Sequence, residues 1–225
     1  EPYYVIENNF LYILRSENVA NVLDGQHRLF SFDKDRVDFE LPVSIFLDMS
    51  LSEQAKIFAT INSTQTKVDL SLVYDLFGIT EDRTPEKVAY QLVRHLNTES
   101  DSAWKGKIKT LSDKSGDLAQ GAMAKYFHKE LLEKHPVIKE LYKNERDTDI
   151  KNILLNFFNA VQEIFPNQWE NKVEKRYVLT KTTGFNGFMS FLVLLVKLAA
   201  RNKTPMSTGY FLSYINKVKD EFSEF

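Results

Sequence analysis

The chain has 225 residues, 43% of them hydrophobic, and carries a formal net charge of −2 with no cysteine. This length and composition predict one large or two small globular domains, each able to bury a core. The absence of cysteine excludes disulfides, thiol catalysis and cysteine-ligated zinc, and it fits a reducing cytoplasm, where we expect the protein to reside. The most apolar uncharged stretch, residues 182–196, is short for a membrane span, so we expect a buried helix there and no membrane partner.

Charge is distributed unevenly along the chain. Residues 1–100 carry 9 Lys and Arg against 16 Asp and Glu, whereas residues 101–225 carry 20 against 15. A sequence pI near 6.2 argues against a protein that coats DNA. The basic clusters of the second part still predict contacts with a nucleic-acid backbone, and a solvated lysine surface is the alternative that the overall charge favours. The clusters are Lys105, Lys107 and Lys109, and Lys172, Lys175, Arg176 and Lys181, of which Lys172, Lys175 and Arg176 are the candidate DNA-binding residues.

Residues 1–79 have the pattern of a small α+β domain. Short apolar runs bounded by turn residues predict strands over 3–6, 10–14, 19–23 and 41–47. Apolar residues at helical spacing predict helices over 26–32, from Ser50 or Ser52 to Ile61, and from Asp69 or Ser71 to Gly78. The polar run 62–66 predicts a loop. Because the chain begins without Met and is strand-like at once, we expect this domain to lack a native N-terminal part.

The spacing of apolar residues over 80–225 differs from that over 1–79 and predicts a helical region that packs on the first domain. Helical patterns cover 85–96, 122–134, 149–165, 184–200 and 209–225. The stretch 98–121 is polar, with Gly106 and Gly116 as breakers, and predicts a loop. Phenylalanines at helical spacing, such as Phe157, Phe158 and Phe185, predict a core and not a base-stacking platform.

Residues Asp24-Gly25-Gln26-His27-Arg28 form the most informative motif of the chain. An apolar run precedes them and an apolar-spaced segment follows, which predicts a strand, a glycine turn and a helix start. The free amides at a helix start favour phosphate or another anion, and Arg28 can add a charged, planar donor. Asp24 and His27 are candidates for metal binding, water positioning or proton transfer. The alternative is structural: Asp24 as a helix N-cap, His27 as a hydrogen-bonded histidine and Arg28 in an ion pair.

A second polar cluster lies between two predicted helices. Lys67 is able to supply a point charge to a phosphate, and Asn62 is able to orient the ligand. Capping of the flanking helices explains Asn62 and Thr66 equally well.

These residues carry a resemblance to a known family. Residues 22–29, Val-Leu-Asp-Gly-Gln-His-Arg-Leu, resemble the signature of the DGQHR-domain family, which includes the B component of the Dnd DNA-phosphorothioation system. The segment Phe58-Ala59-Thr60-Ile61-Asn62, followed by Lys67-Val68, resembles a second segment of such proteins. The region is also similar to the core shared by ParB and sulfiredoxin, where Gly25 and Arg28 match the motif but Ser31 replaces its alanine. The position of the sulfiredoxin catalytic cysteine holds Gln26, which excludes that chemistry.

The resemblance covers about the first eighty residues and implies both a fold and a function. The fold would be α+β: a small ParB/sulfiredoxin-like mixed sheet core over 1–79, followed by a helical bundle over 80–225. Gly25, Gln26 and Arg28 would hold a nucleotide or DNA phosphate, with Asn62 and Lys67 on the same wall. For the second polar cluster, this resemblance favours ligand binding by Asn62 and Lys67 over helix capping.

The function expected from the motif and the resemblance together is that of a nucleotide- or DNA-phosphate-binding domain in a prokaryotic DNA-modification or defence system. In a catalytic form it would hydrolyse a nucleoside triphosphate, with Mg²⁺ or water on Asp24 and His27 assisting proton transfer. The alternative is a non-catalytic DNA-binding transcriptional regulator or assembly partner of that system. A phosphodiesterase fits less well, because a single Asp makes a poor two-metal site. DNA and other proteins of the system are the expected partners, and the oligomeric state stays open.

Overall fold

The computed structural model describes residues 3–16, 19–31, 40–65, 69–170 and 178–221. The protein has a mixed α+β fold that is mostly helical, as the sequence predicts at this level. Contacts divide the chain into two compact units, unit 1 over residues 1–67 and unit 2 over residues 68–225. The division falls before the helix that begins at Leu70, whereas the sequence placed the boundary after that helix, at residue 79. The difference arises because that helix packs on other helices of unit 2.

Unit 1 begins with a β-hairpin. Strands β1 (Tyr4–Glu7) and β2 (Phe10–Ile13) pair antiparallel, with Glu7 opposite Phe10. Asn8 and Asn9 form the two-residue turn with φ of 50° and 65°, the left-handed values that a tight hairpin turn requires and that asparagine tolerates. The Tyr4 hydroxyl donates a hydrogen bond to Asp48, which raises the pKa of Tyr4 and ties the hairpin to the segment before the helix that begins at Leu51.

Two helices complete the described part of unit 1, α1 (Gln26–Phe30) and α2 (Leu51–Gln65). The α2 helix starts with a reciprocal cap. The Ser50 backbone N–H donates to Glu53 Oε2 at 2.9 Å, and the Glu53 N–H donates to Ser50 Oγ at 3.3 Å. The hydrogen bonds that Glu53 Oε2 accepts from the Ser50 N–H and the Ser50 hydroxyl lower the pKa of Glu53.

The strands predicted over 19–23 and 41–47 are wrong. Neither segment pairs with another strand among the described residues. The described part of unit 1 contains a two-stranded antiparallel sheet in place of the expected mixed sheet. Their apolar side chains are open to solvent, with Val22 55% exposed and Val43 71% exposed. An apolar run predicts a strand only where a sheet neighbour and a core receive it.

Unit 2 contains eight α-helices in its described residues and a π-helical turn. The helices are α3 (Leu70–Gly78), α4 (Pro85–Thr98), α5 (Gln120–Tyr126), α6 (Pro136–Lys143), α7 (Asp147–Ile164), α8 (Pro166–Glu170), α9 (Thr182–Asn202) and α10 (Thr208–Glu221). The π-helical turn, Phe127–Leu132, follows α5 directly. The helices predicted in unit 2 are confirmed to within a few residues at their ends, except that residues 222–225 of the last predicted helix lie outside the described residues. Helices α6 and α8 were not predicted.

The core of unit 2 is aromatic. Phe157, Phe158 and Phe185 are each 1% exposed or less, which confirms the phenylalanine spacing as a core pattern. Trp104 and Trp169 pack edge to face with ring centroids 5.0 Å apart, a favourable arrangement for aromatic pairs. Their indoles differ, because Trp169 donates to the Ala103 carbonyl at 2.8 Å whereas Trp104 Nε1 has no partner among the described residues.

The segment 98–121 is mostly irregular, as its polarity predicts, but Ala103, Trp104, Ile108 and Leu118 are buried in the core of unit 2. It contains β3 (Ile108–Lys109) and β4 (Leu118–Ala119), which pair in parallel. Asn159 of α7 bonds to the backbone of this segment. Its side chain accepts from the Ala103 N–H at 2.9 Å and donates to the Asp101 carbonyl at 2.7 Å. A side chain from a distant helix thus satisfies part of the backbone of segment 98–121.

Helix α9 lies where the sequence predicts a buried helix. With a mean hydropathy of 1.5, it is the helix among the described residues that is long and apolar enough to cross a membrane. Six of its side chains are buried in unit 2, as is usual for the core helix of a globular unit: Phe185, Met189, Leu192, Leu195, Val196 and Ala199.

Candidate phosphate-binding site

The motif residues 24–28 form a glycine turn that leads directly into a helix. Gly25 has a φ of 86°, a conformation that side chains with a Cβ rarely adopt, and α1 starts at the next residue. The predicted glycine turn and the helix start at Gln26 are therefore confirmed. The side chains of Asp24 and Gln26 are exposed, while those of His27 and Arg28 lie outside the described atoms.

The backbone at this turn leaves donors available. Leu29 makes the first helical hydrogen bond of α1, from its N–H to the Gly25 carbonyl at 3.1 Å. The amides of Gln26, His27 and Arg28 precede that bond and have no acceptor within a helical ladder. The turn can therefore offer several adjacent N–H groups to an anion, although α1 itself has only five residues.

The second polar cluster differs from its prediction. Asn62 lies in the last turn of α2, which continues to Gln65, whereas the sequence predicted a loop over 62–66. The Asn62 side chain and the whole of Lys67 lie outside the described residues. Their placement beside Gly25 and Arg28 stays a prediction.

The candidate DNA-binding residues Lys172, Lys175 and Arg176 also lie outside the described residues. The other predicted basic cluster is partly neutralised. Lys107 pairs with Glu170 at 3.3 Å, whereas Lys105 and Lys109 are exposed on either side of it.

A metal centre made by protein ligands alone is absent from the described residues, which contain no cluster of three or more His, Asp or Glu side chains suited to an ion. Asp24 is a single exposed carboxylate. Mg²⁺ is commonly held by one or two carboxylates together with substrate phosphates, so Asp24 fits a metal that arrives with a nucleotide.

Unit 2 also contains a buried polar cluster, around His128, that no sequence pattern predicts. His128 Nδ1 lies 3.2 Å from the Tyr74 hydroxyl, and His128 Nε2 lies 2.8 Å from Glu133 Oε1 and 3.5 Å from Glu86. Burial, with the nearby carboxylates, raises the pKa of Tyr74. Burial also opposes the charge of Glu133, but hydrogen bonds from Lys129 and His128 bring its pKa below the usual value.

The His128 cluster joins three elements, since Tyr74 lies on α3 and Glu86 on α4. His128 and Glu133 are five residues apart in the sequence, and the π-helical turn brings their side chains into contact. An α-helical pattern would predict contacts three or four residues apart and would miss this pair. The cluster is therefore a tertiary feature without a sequence signal.

An open groove of about 390 Å³ lies on unit 2. It is lined by Pro136, Val137, Glu140, Leu141, Asn144 and Arg146. Its walls are mainly apolar, which does not suit a phosphate.

The chain combines a glycine-turn motif in a small α+β unit with a helical unit that has its own core. Comparison with known proteins finds no family model, no curated protein and no solved structure that matches it. The resemblance described above thus rests on residues 22–31, 58–62 and 67–68 themselves.

Proposed function

We propose that unit 1 binds a nucleotide or a DNA phosphate at Gly25, Gln26 and Arg28, within a ParB/sulfiredoxin-like domain. The observation that carries the proposal is the positive φ of Gly25 directly before the first amides of α1. This turn can present several N–H groups to one anion without interference from a side chain. Asn62 and Lys67 would add a polar and a cationic contact on the same wall.

In the catalytic form of this proposal, the bound group is a nucleoside triphosphate and the reaction is hydrolysis. Asp24 would hold Mg²⁺ against the phosphates or orient the attacking water. His27 would accept the proton of that water as the bond to the leaving phosphate breaks. The exposed position of Asp24 supports this, because the carboxylate is open to a ligand from solvent.

The biological setting that we propose is a cytoplasmic DNA-modification or defence system in a prokaryote, with DNA and other proteins of that system as partners. This setting follows from the resemblance of the motif residues. The alternative is a DNA-binding regulator or assembly partner that uses the same pocket without cleaving its ligand.

Calorimetry with a nucleoside triphosphate, with and without Mg²⁺, tests the site. Arg28→Ala should weaken binding by about 10- to 150-fold, because a hydrogen bond to a charged group contributes about 1.5–3 kcal/mol. Arg15→Ala is the matched control, since Arg15 is an exposed arginine of unit 1 outside the motif. Equal losses in the two variants, or no binding by the wild type, would overturn the proposal.

Phosphate release separates the enzyme from the binder. Asp24→Asn should abolish turnover and largely spare nucleotide binding, because the amide keeps the shape of the side chain but loses its charge. If the wild type binds nucleotide but releases no phosphate with Mg²⁺ and DNA present, the regulator or assembly function is correct.

A further inference from the structure

One segment of the chain is free of acidic residues. Asp and Glu number 31 in 225 residues, yet none occurs over residues 175–219, which carry eight Lys and Arg. The segment includes α9 and most of α10. The segment therefore carries a net charge of +8 in a protein whose net charge is −2.

The cations at the end of α9 are exposed, and they have no ion-pair partner among the described residues. Lys197 and Arg201 are four residues apart and so share one face of the helix, and Lys203 follows at its C-cap. All three side chains are exposed, and none of them makes an ion pair with a residue in the part of the chain that the structure describes. We call Lys197, Arg201 and Lys203 the α9 basic cluster.

Lys203 has a left-handed backbone conformation. It has a φ of 53° at the C-cap of α9, and its N–H bonds to the Ala200 carbonyl at 3.3 Å. Glycine is the residue that adopts this left-handed position most easily. Lys203 therefore has a strained backbone conformation. Its side chain forms no hydrogen bond or ion pair with a described residue, so no such interaction compensates for the strain.

The chemistry of the outer face of α9 indicates the kind of partner. That face follows one helical strip: Thr183, Asn186, Ser190, Leu194, Lys197 and Arg201. A helix that lies in a membrane interface exposes several large apolar residues, but Leu194 is the single one on this strip. Small polar side chains beside Lys and Arg are the usual donors to the phosphates of nucleic acids.

We propose that the α9 basic cluster binds the phosphate backbone of duplex DNA without sequence preference. This surface belongs to unit 2 and uses none of the motif residues, so it goes beyond the site proposed for unit 1. It also differs from the predicted cluster at Lys172, Lys175 and Arg176, although the acid-free segment begins within that cluster.

Fluorescence anisotropy on the full chain, with two unrelated labelled duplexes at several NaCl concentrations, tests the surface. The variant Lys197→Gln/Arg201→Gln/Lys203→Gln should weaken binding at least tenfold at low salt. It should also flatten the plot of log K against log salt by about 2–3, because each lost phosphate contact removes about 0.9 from the slope. The two duplexes should bind equally well.

The matched control is Lys125→Gln/Lys139→Gln/Lys143→Gln, which removes three exposed unit 2 lysines and the same charge. It should leave the slope nearly unchanged. An equal loss of DNA affinity in both triple variants would show that binding depends on total charge alone, and it would overturn the proposal. Binding to phosphatidylserine-containing vesicles without DNA binding would also overturn it. The triple variant Lys197→Gln/Arg201→Gln/Lys203→Gln should leave the nucleotide binding of unit 1 unaltered, which keeps this test separate from that of the motif residues.

Lys203→Gly tells a binding role from a structural one. Glycine relieves the left-handed strain, so the melting temperature should stay or rise while DNA affinity falls. A loss of stability together with unchanged DNA affinity would show that Lys203 serves the helix end alone.

Discussion

Units 1 and 2 treat similar side chains in opposite ways. In unit 1, Phe10 and Phe30 are 66% and 84% exposed, whereas in unit 2 Phe158 and Phe185 are at most 1% exposed. Both regions contain apolar runs in the sequence. What separates them is the presence of long amphipathic helices in unit 2, whose apolar faces cover one another.

The comparison shows that apolar patterning alone does not establish burial. A helix satisfies its own backbone and needs only a partner for its apolar face, whereas a strand also needs a neighbour for its hydrogen bonds. The described part of unit 1 contains a single two-stranded sheet, and such a hairpin is at best marginally stable by itself. Stability should therefore be concentrated in unit 2.

The largest expected effect is a core truncation in unit 2 set against its exposed counterpart. Phe158→Ala should cost about 3–5 kcal/mol in the free energy of unfolding, through lost burial and a cavity. Phe30→Ala should change it by less than about 0.5 kcal/mol. Denaturant titration followed by far-ultraviolet circular dichroism measures both variants, because tryptophan fluorescence would report unit 2 alone. Similar losses in the two variants would show that Phe30 is covered in solution.

Two glycines of unit 2 should respond with opposite signs. A Cβ on Gly121 would come within 2.4 Å of the Leu70 carbonyl carbon and the Ser71 nitrogen, whereas a Cβ on Gly187 meets nothing within 4 Å. We expect Gly121→Ala to destabilise unit 2 by about 1–3 kcal/mol, because backbone has to move. Gly187→Ala should stabilise it by about 0.5–1 kcal/mol through helix propensity. Thermal unfolding of both variants checks the close approach of α3 to α5.

His135 should make unit 2 sensitive to acid. It is 3% exposed, and burial lowers its pKa below the ordinary histidine value. The ring accepts the Ile138 N–H at 3.3 Å through Nδ1, and its Nε2 bonds to the Val193 carbonyl at 3.1 Å, an arrangement that fits the neutral form.

Since its folded pKa is depressed, the stability that His135 contributes is complete above the unfolded pKa of about 6.5 and is lost as pH falls through the lower, folded value. His135→Asn keeps a helix N-cap acceptor but cannot titrate in this range. Melting temperatures at a series of pH values below 7 should decline less steeply for this variant than for the wild type. An identical decline would assign the acid sensitivity to other groups.

The smallest effect compares the same cap chemistry in the two units. Ser50 caps α2, and Thr84 Oγ1 accepts the Lys87 N–H at 3.2 Å at the start of α4. Ser50→Ala and Thr84→Ala should each cost about 1 kcal/mol. Amide hydrogen exchange should locate the first loss in α2, while tryptophan fluorescence should detect only the second. Should fluorescence report both, the two units unfold together.

Local sequence signals predicted much of the secondary structure. The Asn8-Asn9 turn, the positive φ of Gly25, the Ser50 cap and the long helices of unit 2 all follow from short-range rules. Such rules are reliable here because turn residues, caps and helical periodicity act within a few residues of the chain. For the candidate site, they reached the Gly25 turn but not the environment of its side chains.

Tertiary structure decided the remainder. The sequence alone determined which segments can form helices and where the chain turns, because those preferences are local. Only the packing of unit 2 decided that Trp104 and Ile108 of the polar stretch 98–121 are buried and that His128 meets Tyr74 across 54 residues of chain. In unit 1, the runs 19–23 and 41–47 have strand-like composition but no ladder partner among the described residues. Composition records that a side chain is apolar, whereas burial depends on which distant residues arrive to cover it.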